Sequence, residues 1–300
     1  VINMTNETKS TMLGAGAKIY ETIQNNFKSN KKNVLKKISC FISTGSPLSP
    51  DTFKFINKSL NSQSFIHSVS GGTDIVSCFM LGIPTLPVYS GEIQGPGLGM
   101  NIDVFNDKGK PTKKTGELVC KTPFPSKPVY FWNDKLNRKY KSAYFEKFPN
   151  IWAHGDYVKK TNNGGYVIFG RSDATLNPGG VRIGTGEIYN SLQKFHWIED
   201  CLATGYMTEN DEKIVLFLKL SNPKINIDFR SVLKKHIKAS LSPRHVPWKV
   251  FVVKDIPRTK SGKNSEILVK KIINNDKVQN LGSLANPESV SEYRAININE

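Results

Sequence analysis

Between Gly170 and Tyr189 the chain reads GRSDATLNPGGVRIGTGEIY, a stretch too glycine-rich for a helix and too interrupted for a long strand. Gly179 and Gly180, with Gly184 and Gly186 close behind, lack Cβ atoms and open backbone conformations closed to other residues. Such a stretch suits close approach of the main chain to a ligand, or a flexible joint. It also carries Arg171, Asp173 and Arg182, charges that no solvated helix face accounts for. A second loop, PRTKSGK at Pro257–Lys263, sets Lys263 after Ser261 and Gly262, where an ammonium can swing onto a phosphate or carboxylate. Either loop alone also fits an ordinary charged surface loop; together they are more specific.

The pattern before residue 170 differs from the pattern after it. Ile19, Ile23 and Phe27, at four-residue spacing, predict an amphipathic helix over residues 15–30. Ile38–Ile42 reads as a short strand, Ser49-Pro50 as a cap and first helical turn, Phe53, Ile56 and Leu60 as a helix, and Ser64–Val69 as another strand. Strand, loop, helix, strand is the pattern of a parallel sheet with ligands at the strand ends. Two loops follow those strands, one with Gly45, Ser46 and Pro47, the other from Ser68 to Asp74. From Pro84 to Gly170 short apolar runs alternate with Gly and Pro. Strands at Glu117–Cys120 and Tyr166–Phe169, with a hairpin turn at Asn162–Gly165, predict a small β-rich subdomain. After Gly170 come a helix at Glu187–Phe195, a strand at Ile214–Leu220, a helix at Ser231–Leu241, a strand at Lys249–Val253 and a helix at Ser265–Asn274. That predicts an α+β domain large enough to fold alone, ending in a loosely packed tail.

Composition narrows the function. Lys+Arg 42 against Asp+Glu 25 gives a net charge of +17, which raises nucleic acid or an anionic membrane as a partner. Only seven of the basic residues are arginine, however, and the lysines are scattered in pairs such as Lys31-Lys32 and Lys159-Lys160. No helix-turn-helix, RNA-binding aromatic pair or zinc spacing accompanies the charge, so no nucleic-acid role is expected. Cys40, Cys78, Cys120 and Cys201 form no Cys-x-x-Cys and join no His cluster, which fits buried thiols in a reducing compartment. No apolar run reaches membrane-spanning length and no secretory leader opens the chain, so a cytosolic protein without membrane insertion is expected. His154, His196 and His245 have no acid–base partner visible in sequence and receive no role.

Four segments, in order and at matching intervals, resemble the signature of the adenylate-forming acyl-CoA synthetases. They are SVSGGTD at Ser68–Asp74, WAHGD at Trp152–Asp156, the glycine-rich stretch from Gly170, and PRTKSGK. SGGTDIVSCF, GEIQGPGLGM, FWNDKLNRKY, SPRHVP and NPESVSEYR are similar to an acetoacetate-activating branch, so the resemblance covers essentially the whole chain. It implies an α/β fold. Residues 1–172 would be the C-terminal portion of the large AMP-binding domain, a piece of parallel sheet plus the β-rich subdomain 84–170. Residues 173–300 would be a mobile α+β C-terminal domain hinged at Asp173. Family members are longer and carry a Ser/Thr/Gly-rich phosphate loop ending in Pro-Lys, which is found nowhere in residues 1–300. The expectation is therefore a C-terminal half, inactive alone, whose missing partner is the N-terminal half of the same enzyme.

The implied reaction consumes ATP with Mg2+ and uses CoA as co-substrate. A carboxylate attacks the α-phosphorus of ATP, and the CoA thiol then attacks the acyl-adenylate. Neither step needs a covalent enzyme nucleophile; the protein positions groups and offsets charge. By the resemblance, Lys263 and Thr73 are catalytic. Gly45, Ser46, Pro47, Ser70, Gly71, Gly72, Thr73, Asp156, Arg171 and Arg182 bind the nucleotide. Asp74 stands in place of a glutamate as a Mg2+ ligand. Gly179 and Gly180 line the CoA tunnel, and Lys238 is a candidate for a CoA phosphate, although it also reads as a solvated helix lysine. Ala174 stands where many members have a second acid beside the hinge. Two alternatives stay open: a ligase for acetate, propionate or a longer acid, and a non-catalytic basic module that binds anions.

Overall fold

The computed structural model describes residues 1–28, 32–209, 211–222, 225, 228–260, 262–278 and 281–298. By internal contacts the chain divides into Val1–Ile168 and Phe169–Glu300.

In the first unit α1 (Ile2–Glu7), β1 (Met12–Gly16), α2 (Ala17–Asn25), β2 (Cys40–Thr44), α3 (Pro50–Phe55) and β3 (Phe65–Ser68) follow one another. β1, β2 and β3 form a parallel sheet, with Met12 opposite Cys40 and Cys40 opposite Phe65. Parallel neighbours need crossover connections, and the helices supply them. Tyr20, Leu35, Ile38, Phe41, Phe53, Ile56 and Ile66 make the core. Ser49 caps α3 by accepting the Thr52 N–H at 3.2 Å, with Pro50 in the first turn, and the helix runs on as a π turn to Leu60. The predicted helix over residues 15–30 is shorter, and residues 29 and 30 lie outside the described residues.

One expectation is corrected directly after β3. Ser70–Gly72 is not a loop but a strand, β4, paired antiparallel with β5 (Ser77–Leu81), which pairs in turn with β6 (Gly95–Pro96). A Cβ on Gly71 would lie 2.0 Å from the Ser77 carbonyl oxygen, so the glycine that signals a loop here admits a close strand pairing. Then follow β7 (Ile102–Phe105), β8 (Gly116–Cys120), α4 (Arg138–Tyr144), β9 (Trp152–Lys160) and β10 (Tyr166–Arg171). Their sheet has the order β10-β9-β8-β7 and packs around Phe79, Leu118, Phe124, Tyr140 and Trp152. Asp156 lies inside β9.

The second unit holds α5 (Thr185–Leu192), β11 (Ile198–Met207), β12 (Glu212–Leu220), α6 (Phe229–Ser240), β13 (Lys249–Val252), α7 (Glu266–Ile273) and α8 (Val290–Ala295). β12 is the middle strand, antiparallel to β11 and parallel to β13. Its side chains alternate between two cores, as a two-residue period demands. Ile214, Leu216 and Leu218 join Ile188, Leu233 and Ile237, whereas Val215 and Phe217 join Val269, Ile272 and Tyr293. β11 escapes the sequence reading because Glu199 and Asp200 interrupt its apolar pattern. The loosely packed tail is also corrected: Val290, Tyr293 and Ile298 are buried, and the Tyr293 hydroxyl donates to the Asp255 carbonyl at 3.1 Å. Few apolar residues mark that segment, but Val290 and Tyr293 share one side of a short helix, with Leu284 and Ile298 buried on either side of it in the chain. Among the described residues no helix is long and apolar enough to cross a membrane.

Candidate active site

The first unit gathers its candidates around the β4–β5 hairpin. β2 and β3 are in register, Ser43 opposite Ser68, and the Val69 N–H reaches the Ser43 carbonyl at 2.9 Å. The Gly45–Pro47 loop therefore leaves the same strand edge as Ser70. Gly45 holds φ +86°, a left-handed value that favours glycine. Thr73 and Asp74 are exposed in the hairpin turn, which closes with the Val76 N–H on the Thr73 carbonyl at 3.2 Å.

Asp156 joins this group through Ser70, whose hydroxyl donates to Oδ2 at 2.9 Å across 86 residues of chain. His154, two positions earlier on β9, is buried, and its Nε2 lies 3.2 Å from the Gly71 carbonyl and 3.8 Å from Asp156 Oδ2. A carbonyl can only accept, so Nε2 carries the proton toward Gly71. Between them Gly155 has φ +84°, and its N–H goes to Glu117 Oε1 at 2.6 Å. Glu117 is buried, and Lys147 Nζ meets its other oxygen at 2.8 Å. Asp74 is held differently. Tyr144 donates its hydroxyl to Asp74 Oδ2 at 2.5 Å, and its ring stacks on Trp152 at 3.7 Å.

Two of these supports, Glu117 in a strand and Tyr144 in a helix, lie outside every quoted motif. Ser70 and His154 stand within SVSGGTD and WAHGD, but nothing in the neighbouring sequence marks their partners.

In the second unit Arg171 ends β10 and pairs with Asp173, Nε to Oδ1 at 3.4 Å, both about half exposed. Ala174 is buried, so a second acid at that position would need a partner. The loop from Leu176 to Ile183 carries Gly179, Gly180 and Arg182, and Arg182 borders a cavity of about 580 Å³ with Asn177, Asp211, Glu212 and Lys270. Lys238 is exposed on α6 beside a second cavity of about 540 Å³, shared with Arg230, Lys234 and Lys235.

Lys263 is exposed at the end of a tight turn. The Thr259 N–H reaches the Lys263 carbonyl at 2.9 Å, the Gly262 N–H reaches the Thr259 carbonyl at 2.7 Å, and Gly262 holds φ +81°. Ser261 lies outside the described residues. Arg258 donates Nη1 to the Gly262 carbonyl at 2.5 Å while its Nε and Nη2 engage Asp200. Directly after the turn, burial raises the pKa of Glu266, whose Oε1 accepts the Tyr189 hydroxyl at 3.1 Å.

Among the described residues no group of three or more His, Cys, Asp or Glu could hold a metal ion by itself. Asp74 belongs to no such group.

No family model matches the chain. The acetoacetyl-coenzyme A synthetase of Rhizobium meliloti (strain 1021) is 46% identical over 95% of this chain and 44% of its own length. The acetoacetyl-CoA synthetase of Gallus gallus is 44% identical, again over 95% of this chain and 44% of its own. Among solved structures, the acetoacetyl-CoA synthetase from Streptomyces lividans superposes with a TM-score of 0.86 at 35% identity, covering 98% of this chain and 46% of that one. The chain thus spans less than half the length of the relatives it matches. On sequence and fold alike, it belongs to the adenylate-forming acyl-CoA synthetase superfamily, alongside the acetoacetyl-CoA synthetases.

Proposed function

We propose that this chain carries the ribose-, α-phosphate- and lysine-bearing parts of an ATP-dependent ligase that joins acetoacetate to CoA. The observation that carries the reading is the Ser70–Asp156 hydrogen bond, which unites the Gly-Gly-Thr-Asp hairpin with the Gly-Asp strand. Acetoacetate is the acid because relatives 46% and 44% identical to this chain bear that name.

In the first half-reaction the acetoacetate carboxylate attacks the α-phosphorus and pyrophosphate departs. Asp156 accepts from the ribose hydroxyls, and Gly45–Pro47 with Ser70–Gly72 pass close to the nucleotide. Thr73 donates its hydroxyl to the α-phosphate. Arg171 and Arg182 offer forked donors to ribose and phosphate oxygens. Lys263 sets its ammonium between carboxylate and α-phosphate, offsetting the repulsion of two anions. Mg2+, held through Asp74 and phosphate oxygens, would neutralise charge on the leaving pyrophosphate. In the second half-reaction the CoA thiol attacks the acyl carbon, AMP leaves, and the thiol proton passes to solvent. Gly179 and Gly180 line the path of CoA, Lys238 meets one of its phosphates, and Asp173 is the pivot between the two steps. The four cysteines, which form no disulfide, are consistent with a cytosolic enzyme.

The test is ATP–pyrophosphate exchange, in a form of the enzyme that carries the phosphate loop, with a panel of acids. Exchange that depends on acetoacetate supports the reading. Exchange driven better by acetate or propionate moves the acid, and AMP binding without exchange for any acid leaves a binding module.

A further inference from the structure

The loop from Leu176 to Ile183 is held by charged groups that neither half-reaction uses. Leu176 and Ile183 close its base with two backbone hydrogen bonds, at 2.9 and 2.8 Å. Within it, Gly179 at φ +57° and Gly180 at +74° turn the chain away from regular partners. Side chains take those partners' place. The Asn177 N–H goes to Glu212 Oε2 at 2.6 Å and the Gly179 N–H to Asp211 Oδ1 at 2.8 Å. Arg244 Nη1 reaches the Gly179 carbonyl at 3.3 Å.

Glu212 is the unusual member. It is 6% exposed, and its second oxygen takes Lys270 Nζ at 2.5 Å. Burying a carboxylate is costly unless it is paired and hydrogen-bonded, and this one is both. The sheet is hollowed to admit it: a Cβ on Gly205, across the ladder on β11, would lie 1.8 Å from Glu212 Oε1. Lys270 projects from α7, the helix that follows the Lys263 turn. One chain of contacts, Lys270 to Glu212 to Asn177, therefore connects that helix with the glycine loop. The neighbouring Asp211 carboxyl is held below its usual range chiefly by the Gly179 N–H, with Lys213 next, so the ionised form is the one bound to the loop.

We propose that Glu212 is a positioning residue for thioester formation, fixing the Leu176–Ile183 loop in the shape that presents Gly179 and Gly180 to the thiol arm of CoA. This rests on the ligase reading above. Glu212 touches neither nucleotide nor acid in that scheme, and it grips the loop at Asn177, beside the two glycines and farther from Arg182, so its loss falls more heavily on the CoA step than on adenylation.

Two measurements on Glu212→Ala and Glu212→Gln test it. In the 300-residue chain, amide exchange at Asn177 and Gly179 should accelerate about tenfold in E212A and less in E212Q, whose amide oxygen can still accept. In a turnover-competent enzyme, E212A should lower kcat/KM for CoA about tenfold, with acetoacetate-dependent pyrophosphate exchange within about threefold of wild type and E212Q in between. Should E212A fail to fold, E212Q with Lys270→Met carries both measurements. Unchanged amide exchange, or equal losses in both half-reactions, overturns the proposal. A wild-type enzyme without acetoacetate-dependent exchange overturns the ligase reading itself, and the proposal with it.

Discussion

Arg258 places two of its nitrogens, Nε and Nη2, on the same oxygen of Asp200, at 3.0 and 2.5 Å. Its third, Nη1, holds the Gly262 carbonyl, so one guanidinium ties β11 to the turn that presents Lys263. A lysine keeps the charge but lacks the fork. Arg258→Lys should cost about 1.5–3 kcal/mol, the range for hydrogen bonds to charged groups, read by urea unfolding. Trypsin should then cut faster at Lys260 and Lys263. An unchanged cleavage rate would mean the turn is rigid without Arg258.

Asp156 is the ribose acceptor in the proposed scheme, and Ser70 sets one of its oxygens. Asp156→Asn should weaken AMP binding by about ten- to a hundredfold, the loss of a charged hydrogen bond, and Ser70→Ala by only a few-fold. Titration calorimetry separates the two. Equal effects would give Ser70 the direct contact.

Glu266 gives the second unit a pH signature. Burial raises its pKa first of all, Asp173 adds to that, and its own backbone N–H, the Tyr189 hydroxyl and the Arg258 charge oppose it. The folded state therefore binds the proton more tightly than the unfolded chain. The resulting stabilisation is fully present below the ordinary carboxyl pKa and is lost as pH rises through the raised folded value. The unfolding free energy of wild type relative to Glu266→Gln should fall across that window. A constant difference would place the carboxyl in water.

Val76 sits at φ +47°, a β-branched residue in the left-handed region, and is 88% exposed. It closes the turn that carries Thr73 and Asp74. Asparagine tolerates that conformation, so Val76→Asn should stabilise the protein by about 1 kcal/mol. A lower melting temperature would show that Val76 makes contacts outweighing its strain.

Much of the fold could be read from the chain because the elements that matter there are local. The Ile214–Leu220 run is apolar at every other or every position and can only be a buried strand. Ser49-Pro50 announces a helix start, and Ser49 does accept the Thr52 N–H. What escaped reading was non-local. Gly71 and Gly72 look like a loop until Ser77 is known to lie against them, and β11 is disguised by Asp200, whose charge is there for Arg258 some fifty-eight positions on. The candidate site divides the same way. Glycines, Asp156 and Lys263 stand in recognisable strings, whereas Glu117, Tyr144 and Glu212 act across thirty or more residues and carry no local mark.

The central claim is that Lys263 serves adenylation and not thioester formation, and Lys263→Ala in a turnover-competent enzyme tests it most directly. Acetoacetate-dependent pyrophosphate release should fall by about 10²–10³, the scale for one lost transition-state charge contact. CoA thioester formation from supplied acetoacetyl-adenylate should stay within a few-fold of wild type. Equal loss in the two half-reactions would make Lys263 a structural residue and contradict the account.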